Sequence, residues 1–241
     1  MNEQIRWITG LLDAHRIPYW IDSGTLLGLM REGDLLKPNE DIDIGVWSRY
    51  EPRIRSILPL IREAGLAIRA MSYKHLIYSY KFLPKFIDSR SRLGAIVEVN
   101  LYRIHGDYAW CPEIFQINPN APGSVRYHLD HLIRNRLLLG VLVGDFLPTR
   151  FISWWATTDA SSPLWHTFLD VGTWWIPRFY LDNTVLIRDF GVLVPRDWQS
   201  YLEFRYGDWK TRVEEWQYWR DDGGFRRKSP HEIIKNVTRI G

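Results

Sequence analysis

Asp22-Ser23-Gly24-Thr25-Leu26-Leu27-Gly28-Leu29-Met30-Arg31, followed by Asn39-Glu40-Asp41-Ile42-Asp43-Ile44-Gly45, is the stretch on which the reading of the whole chain turns. Its first half is a small-residue turn that runs into a short helix. Its second half alternates polar and apolar residues, the period of a strand. Residues two apart on a strand share a face, so Asp41 and Asp43 project together while Ile42, Ile44 and Val46 face the other way. Two adjacent carboxylates repel unless a cation sits between them. Mg²⁺ is a hard ion that takes oxygen ligands and leaves positions open for substrate phosphates. The Ser23-Gly24-Thr25 turn offers backbone N–H groups at a helix start, where an anion is favoured, and Gly24 lets the backbone come close to it. A phosphate cradle beside metal-binding carboxylates is the minimal equipment for moving a phosphoryl-type group. Each piece alone also has a plainer reading. Asp-x-Asp is common on solvated strand edges, and Ser23 or Thr25 is an ordinary helix cap.

Working outward, the apolar spacing of Ile5, Trp7, Ile8, Leu11 and Leu12 predicts a helix over 2–16, ended by Ile17-Pro18. Tyr19–Ile21 reads as a buried strand, and Thr25–Arg31 as a helix closed by Glu32-Gly33-Asp34. Asp41–Trp47 is a second strand. Ile54, Ile57, Leu58 and Ile61 mark another helix, ended by Gly65, with Pro59 as a candidate break. Residues 66–73 and 75–83 read as consecutive strands. Val97-Glu98-Val99-Asn100-Leu101-Tyr102 is the cleanest alternation in the chain. Glu98 lies mid-strand in an apolar run, where an unpaired charge is costly. It is half of an ion pair with an arginine, a third metal carboxylate, or the base for an acceptor hydroxyl. Arg31, at the helix end, is a bidentate clamp for a diphosphate or a cation matched to the helix C-terminus.

Pro119-Asn120-Ala121-Pro122-Gly123 is a loop and a boundary. Beyond it the chain reads mainly helical: over 128–140, in pieces between 146 and 176, and over 197–220 with a break at Gly207. The expected fold is α+β. A mixed sheet flanked by helices occupies 1–118. A mainly helical part, 124–220, completes the cleft and the acceptor site, and 221–241 is a tail.

Composition narrows the partners. The chain has 241 residues, 46% hydrophobic and 24% charged, an ordinary globular balance with material for a sizeable core. The net charge of +3 argues against nucleic acid as the main partner. The one cysteine, Cys111, excludes an internal disulfide framework and fits a reducing compartment. No signal-peptide pattern and no bilayer-spanning apolar run is present, so the expected address is the cytoplasm, with the membrane surface as an option. The 13 tryptophans stand out, with Trp154, Trp155, Trp165, Trp174, Trp175, Trp198 and Trp209 crowded into one region. An aromatic core or a stacking surface for a sugar or base is the plainer account. Peripheral membrane contact near a lipid-linked acceptor is the sharper one. No Ser-His-Asp, Walker or dinucleotide signature appears, and the histidines lack ligand spacing with cysteine.

Tyr19-Trp20-Ile21-Asp22-Ser23-Gly24-Thr25-Leu26-Leu27-Gly28-Leu29-Met30-Arg31 resembles the LicD / fukutin-related phosphotransferases of the nucleotidyltransferase superfamily. Their pattern runs Tyr-Trp-Leu-x-x-Gly-Thr-Leu-Leu-Gly-x-x-Arg and then Asp-x-Asp-x-Asp. Here Asn39 stands where the first of those acids often lies, leaving Asp41 and Asp43 as the metal pair. Tyr201-Leu202-Glu203-Phe204-Arg205-Tyr206-Gly207-Asp208-Trp209 is similar to the family's Leu-x-x-x-Tyr-Gly-Asp ending. The plainer account of its Tyr206-Gly207-Asp208 is a helix capped by Gly207. The resemblance covers 17–47, 94–104 and 192–210 and stops over 125–190. It implies Mg²⁺ or Mn²⁺ on Asp41, Asp43 and Glu98, with Ser23, Gly24, Thr25 and Arg31 on the donor phosphates. It further implies a CDP-linked donor, a glycan or lipid-linked glycan acceptor, and a place in cell-surface polysaccharide biosynthesis. Two alternatives stay open: transfer of NMP from an NTP to a small molecule or protein, and a non-catalytic nucleotide-binding relative.

Overall fold

A computed structural model of the protein describes residues 3–36, 41–84, 95–115 and 170–237. Helix α1 (Glu3–Ala14) buries Ile5, Ile8 and Leu12, the stripe its sequence spacing predicts. Strand β1 (Tyr19–Ile21) leads into α2 (Ser23–Glu32). Asp22 caps α2, its carboxylate accepting from Ser23 N–H, and Gly33 ends it at φ +74°, a left-handed backbone that favours glycine. Strand β2 (Ile42–Trp47) follows, then α3 (Glu51–Glu63). Helix α3 runs unbroken through Pro59, which sits on its exposed face while Ile54, Ile57 and Ile61 face inward. Burial of those three isoleucines outweighs the single backbone bond that proline forfeits.

Strands β3 (Leu66–Tyr73), β4 (Leu76–Pro84), β5 (Val97–His105), β6 (Tyr108–Phe115), β7 (Asp170–Pro177) and β10 (Phe225–Arg226) join β1 and β2 in one eight-stranded sheet. Among the described strands the β2–β5 pair is parallel and the others are antiparallel. A separate hairpin is made by β8 (Thr184–Ile187) and β9 (Val192–Pro195). Three helices close the chain: α4 (Trp198–Tyr206), α5 (Tyr218–Asp221) and α6 (Pro230–Val237). This is the expected mixed α+β sheet flanked by helices, with helices in the C-terminal region.

One detail differs from the sequence expectation. Residues 170–177 form strand β7 rather than the end of a helical piece. Val171, Thr173, Trp174, Trp175 and Ile176 are β-branched or aromatic, and their backbone completes a ladder with β6. The expected break at Gly207 is present: it ends α4 at φ +66°, its N–H on Glu203 O. The end of the chain is docked, with β10 paired to β7 and Ile233 of α6 packed on Trp110 and Trp175. The predicted loop 119–123, the helical segments over 128–140 and 146–169, and Trp154, Trp155 and Trp165 lie outside the described residues.

The sheet has two unlike faces. Ile42, Ile44, Val46, Val97, Val99, Leu101, Tyr80 and Phe82 belong to the core that contains the apolar stripes of α1 and α3. The opposite face is polar and in register. Asp43 pairs with Glu98 and Glu98 with Lys81, while Lys81 pairs with Arg69. Gly45 pairs with Asn100 and Asn100 with Ser79. Directly paired residues share a face, so two acids meet two bases across four strands. At the far end of that face Trp20 packs on Trp47 and Tyr102, with ring centroids 5.3 and 5.4 Å away.

Gly45 is forced by this packing, because a Cβ there would overlap the buried Trp20 indole. Gly45→Ala is expected to cost about 1–3 kcal/mol through overpacking, read as a lower urea midpoint. An unchanged midpoint would contradict the packing described.

Candidate active site

The turn before α2 is tied to β2 by its own side chains. Asp22 N–H donates to Asp43 O at 3.0 Å. The Thr25 hydroxyl accepts from Asp43 N–H at 2.7 Å and donates to Asp41 O at 3.0 Å. Thr25 is 1% exposed, and its hydroxyl is spent on the backbone of the two acids. Gly24 lies against the metal candidates: a Cβ built on it would stand 3.7 Å from Asp43 Oδ2. Asp43 is half-buried and Asp41 exposed. Ser23 has φ +48°, a left-handed backbone that costs a non-glycine residue energy and persists only where the surroundings hold it.

Those surroundings are a buried polar network that sequence reading missed. The Asp22 carboxylate accepts from Ser23 N–H (2.8 Å), Tyr102 OH (2.8 Å), Tyr201 OH (2.6 Å) and Arg205 Nη1 (3.3 Å). Arg205 also donates through Nε to both oxygens of Asp222 at 2.8 Å, and through Nη2 to Ser23 Oγ at 3.3 Å. Its guanidinium lies 4.3 Å from the Trp174 ring centroid. The side chains of Arg205, Asp22 and Asp222 are 1%, 0% and 0% exposed. The signal was in the sequence. Arg205 is four residues after Tyr201, on the helical face that also buries Leu202. A charge at a core position needs a partner.

Glu98 stands beside Asp43 in register, yet its carboxylate is already engaged. Lys81 Nζ lies 2.7 Å from Oε2, and Ser79 Oγ donates to Oε1 at 2.9 Å. The ion pair foreseen for it therefore exists, with a lysine in place of an arginine. Burial opposes the Lys81 charge, but Glu98 and Glu113 outweigh it and hold the ammonium above its ordinary value. The Asn100 side-chain oxygen on the same face is buried without a hydrogen-bond partner among the described residues.

Burial pushes the Asp43 carboxyl well above the usual carboxylate range, and Glu98, Asp22 and Asp41 add to it. Asp41, although its residue surface is open to water, is raised by partial desolvation of its carboxyl, with Lys81 opposing and Glu98 adding. An acid ringed by acids is relieved by a cation. The donor set is the carboxylates of Asp43 on β2 and Asp41 just ahead of it, since Lys81 holds Glu98. No group of three metal-ligating side chains forms among the described residues. Two carboxylates with ligand oxygens completing the shell suit Mg²⁺ or Mn²⁺.

Glu113 on β6 is an acid the sequence reading passed over. It interrupts the run Trp110-Cys111-Pro112-Glu113-Ile114, the same signal that singled out Glu98. Trp174 Nε1 donates to Glu113 Oε2 at 3.2 Å. Burial, with Glu98 beside it, pushes the carboxyl up to about 7. The native state thus favours protonated Glu113. That contribution is fully present below the ordinary glutamate range and is lost as pH rises through about 7. Glu113→Gln is expected to gain stability over wild type by about 2–3 kcal/mol between pH 5 and pH 8, followed by urea unfolding at both. A difference that stays flat with pH would contradict the burial of this acid.

Arg31 is away from the turn. It lies seven residues past Gly24, about 10 Å along the α2 axis. Its Nε bonds Glu32 Oε1 at 2.9 Å and its Nη1 bonds Trp209 O at 3.3 Å. Of the expected site residues, the structure brings together Ser23, Gly24, Thr25, Asp41, Asp43 and Glu98, and places Arg31 at the other end of the helix.

Residues 16–103 match the family model described as LicD/FKTN/FKRP, nucleotidyltransferase domain. An uncharacterized Rickettsia typhi protein is 39% identical over 118 residues, 49% of this chain and 38% of that protein. Ribitol 5-phosphate transferase FKRP of mouse and human is 36% identical over 47 residues, 20% of this chain and 10% of theirs. The chain thus spans well under half the length of these relatives. A lincomycin-bound lincosamide antibiotic adenylyltransferase, LnuA, aligns at 12% identity and TM-score 0.31 over 50% of this chain and 66% of that one, a likeness that carries no argument. Residues 16–103, which hold Asp22, the α2 turn, Asp41, Asp43 and Glu98, therefore form a domain matching the LicD/FKTN/FKRP nucleotidyltransferase family.

Proposed function

We propose that the protein is a metal-dependent transferase that moves a phospho-alcohol group, phosphocholine or a polyol phosphate, from a CDP-linked donor to a glycan hydroxyl, releasing CMP. The observation that carries this reading is the Asp43 carboxylate set against the Gly24 turn, with Asp41 two residues before it, just ahead of β2, its backbone oxygen on the Thr25 hydroxyl. The phosphate cradle and the paired acids are then one site. The named activity of the FKRP relatives, ribitol 5-phosphate transfer, supports a polyol phosphate as the transferred group.

Asp41 and Asp43 hold Mg²⁺ or Mn²⁺, which when bound neutralises charge on the donor diphosphate. Backbone N–H groups at the start of α2 take phosphate oxygens. Asp22 and Thr25 fix that turn against β2, so acids and amides keep one spacing. The acceptor oxygen forms a bond to the phosphorus that bears the alcohol. The bond from that phosphorus to the oxygen shared with CMP breaks, and CMP leaves with the electron pair. The hydroxyl proton passes to a carboxylate of the sheet face: Glu98 is the candidate read from sequence, and Glu113 the one the structure adds.

The acceptor, a glycan or lipid-linked glycan, reaches the site in the cytoplasm or at the membrane surface. No helix among the described residues is long and apolar enough to cross a membrane. Incubation with CDP-choline or a CDP-polyol, Mg²⁺ and a glycan acceptor is expected to yield CMP and a glycan phosphodiester. Of Glu98→Gln and Glu113→Gln, the one that removes the base is expected to lower kcat by about 10²–10⁴. Pyrophosphate release from an NTP, with no CMP from the CDP-linked donor, would replace this reading with nucleotidyl transfer.

A further inference from the structure

A cleft of about 480 Å³ lies at the C-terminal end of α2. Leu27, Arg31, Leu36, Tyr206, Trp209 and Trp216 form its working surface. It adjoins the Asp43 site. Leu36 Cδ1 stands 4.0 Å from the position of a Gly24 Cβ, and that same position is 3.7 Å from Asp43 Oδ2. Tyr206, on the opposite wall, feels the Asp43 and Asp22 charges. The path from the acids to the cleft therefore follows α2 for about 10 Å, the reach of a nucleotide from its phosphates to its base.

The lining, with Arg31 and Arg212 as donors and Glu32, Asp34 and Asp208 as acceptors, is suited to a planar group that carries both acceptors and donors. Trp216 lies 4.9 Å from Tyr206 and Trp209 5.8 Å from Trp198, as aromatic pairs with large half-buried faces. The Arg31 side chain is only 16% exposed. It uses Nε and Nη1, and its remaining N–H groups meet no acceptor among the described residues. Arg212 adds a second guanidinium at the rim, beside Val213, which is 58% exposed. Glu32, Asp34 and Asp208 line the same cleft, so its charge does not exclude a quaternary ammonium, but that group would leave the remaining Arg31 N–H groups without an acceptor. A nucleobase and ribose bring carbonyl and hydroxyl oxygens and a face that stacks.

We propose that this cleft is the subsite for the nucleoside end of the donor, which lies along α2 with its diphosphate at Gly24 and Asp43 and its base between Trp209 and Trp216. The assignment rests on the proposed function and adds the direction in which the donor lies. Arg31 then contacts the nucleoside rather than the diphosphate.

The test is calorimetric titration of wild type, Trp216→Ala, Arg31→Gln, Arg212→Gln and Asp43→Asn with Mg²⁺-CDP and, separately, Mg²⁺-pyrophosphate. Folding is checked by circular dichroism, and Arg212, exposed at the rim, supplies a variant that leaves the core untouched. The cleft variants are expected to bind CDP about ten-fold or more weakly and pyrophosphate as wild type does, while Asp43→Asn weakens both. Wild-type CDP affinity in the folded cleft variants would overturn the subsite and leave the proposed function standing. Equal weakening of CDP and pyrophosphate by them would also overturn it, as would displacement of CDP by free choline lost in Trp216→Ala. Failure of wild type to bind any nucleotide would overturn both.

Discussion

Arg205→Leu is expected to lower stability by about 3–5 kcal/mol, the largest loss of any single substitution outside the apolar core. The Arg205 guanidinium sits between Asp22 and Asp222, all three with side chains at most 1% exposed. Removing it leaves two buried carboxylates without their cation. It also strips the Tyr201 hydroxyl and Ser23 Oγ of a donor. Surface ion pairs such as Arg178–Asp182 are worth far less, because water competes for both partners. The consequence extends to the site, since Asp22 caps α2 and holds Ser23 in its left-handed conformation. Nucleotide affinity should therefore fall in Arg205→Leu even where the protein remains folded at low temperature. Urea unfolding of wild type and variant reads the first effect. A loss below about 1 kcal/mol would show that the network is dispensable.

Asp43→Asn carries the second large effect, on activity alone. Turnover should fall by at least about two orders of magnitude, as for loss of a group that stabilises transition-state charge. The fold should survive. Asp43 is placed by its backbone, through Asp22 N–H and the Thr25 hydroxyl, and not by its carboxylate. Its carboxyl is also the most crowded by other acids, with Glu98, Asp22 and Asp41 all acting on it. A neutral amide of the same shape relieves that repulsion, so thermal stability should hold or rise. Near-wild-type turnover in a folded variant would contradict the metal assignment.

The fold core was legible because its signals are local. Alternation in Asp41–Trp47 and Val97–Tyr102, and the apolar stripes of α1 and α3, depend only on neighbours in sequence. The turn at Ser23-Gly24-Thr25 was legible for the same reason. Other features depend on partners far along the chain. Arg205 meets Asp22 across 183 residues, and Glu98 pairs with Lys81 through a register that only the folded sheet sets. Thr25 was read as a phosphate ligand, since nothing local reveals that Asp41 O and Asp43 N–H would take its hydroxyl. Strand β7 was read as helix because Trp174 and Trp175 side by side obscure the period of two. Arg31 was legible as the end of the same helix, and what the sequence did not show is its bond to Trp209 O, 178 residues away.

The central claim is that Asp41 and Asp43 make a metal-dependent nucleotide diphosphate site at the head of α2. Calorimetric binding of CDP to wild type and Asp43→Asn, each with and without Mg²⁺, tests it most directly. The account predicts CDP binding that requires Mg²⁺ in wild type and is lost in Asp43→Asn. CDP binding of equal strength with and without Mg²⁺, unchanged in Asp43→Asn, would contradict it.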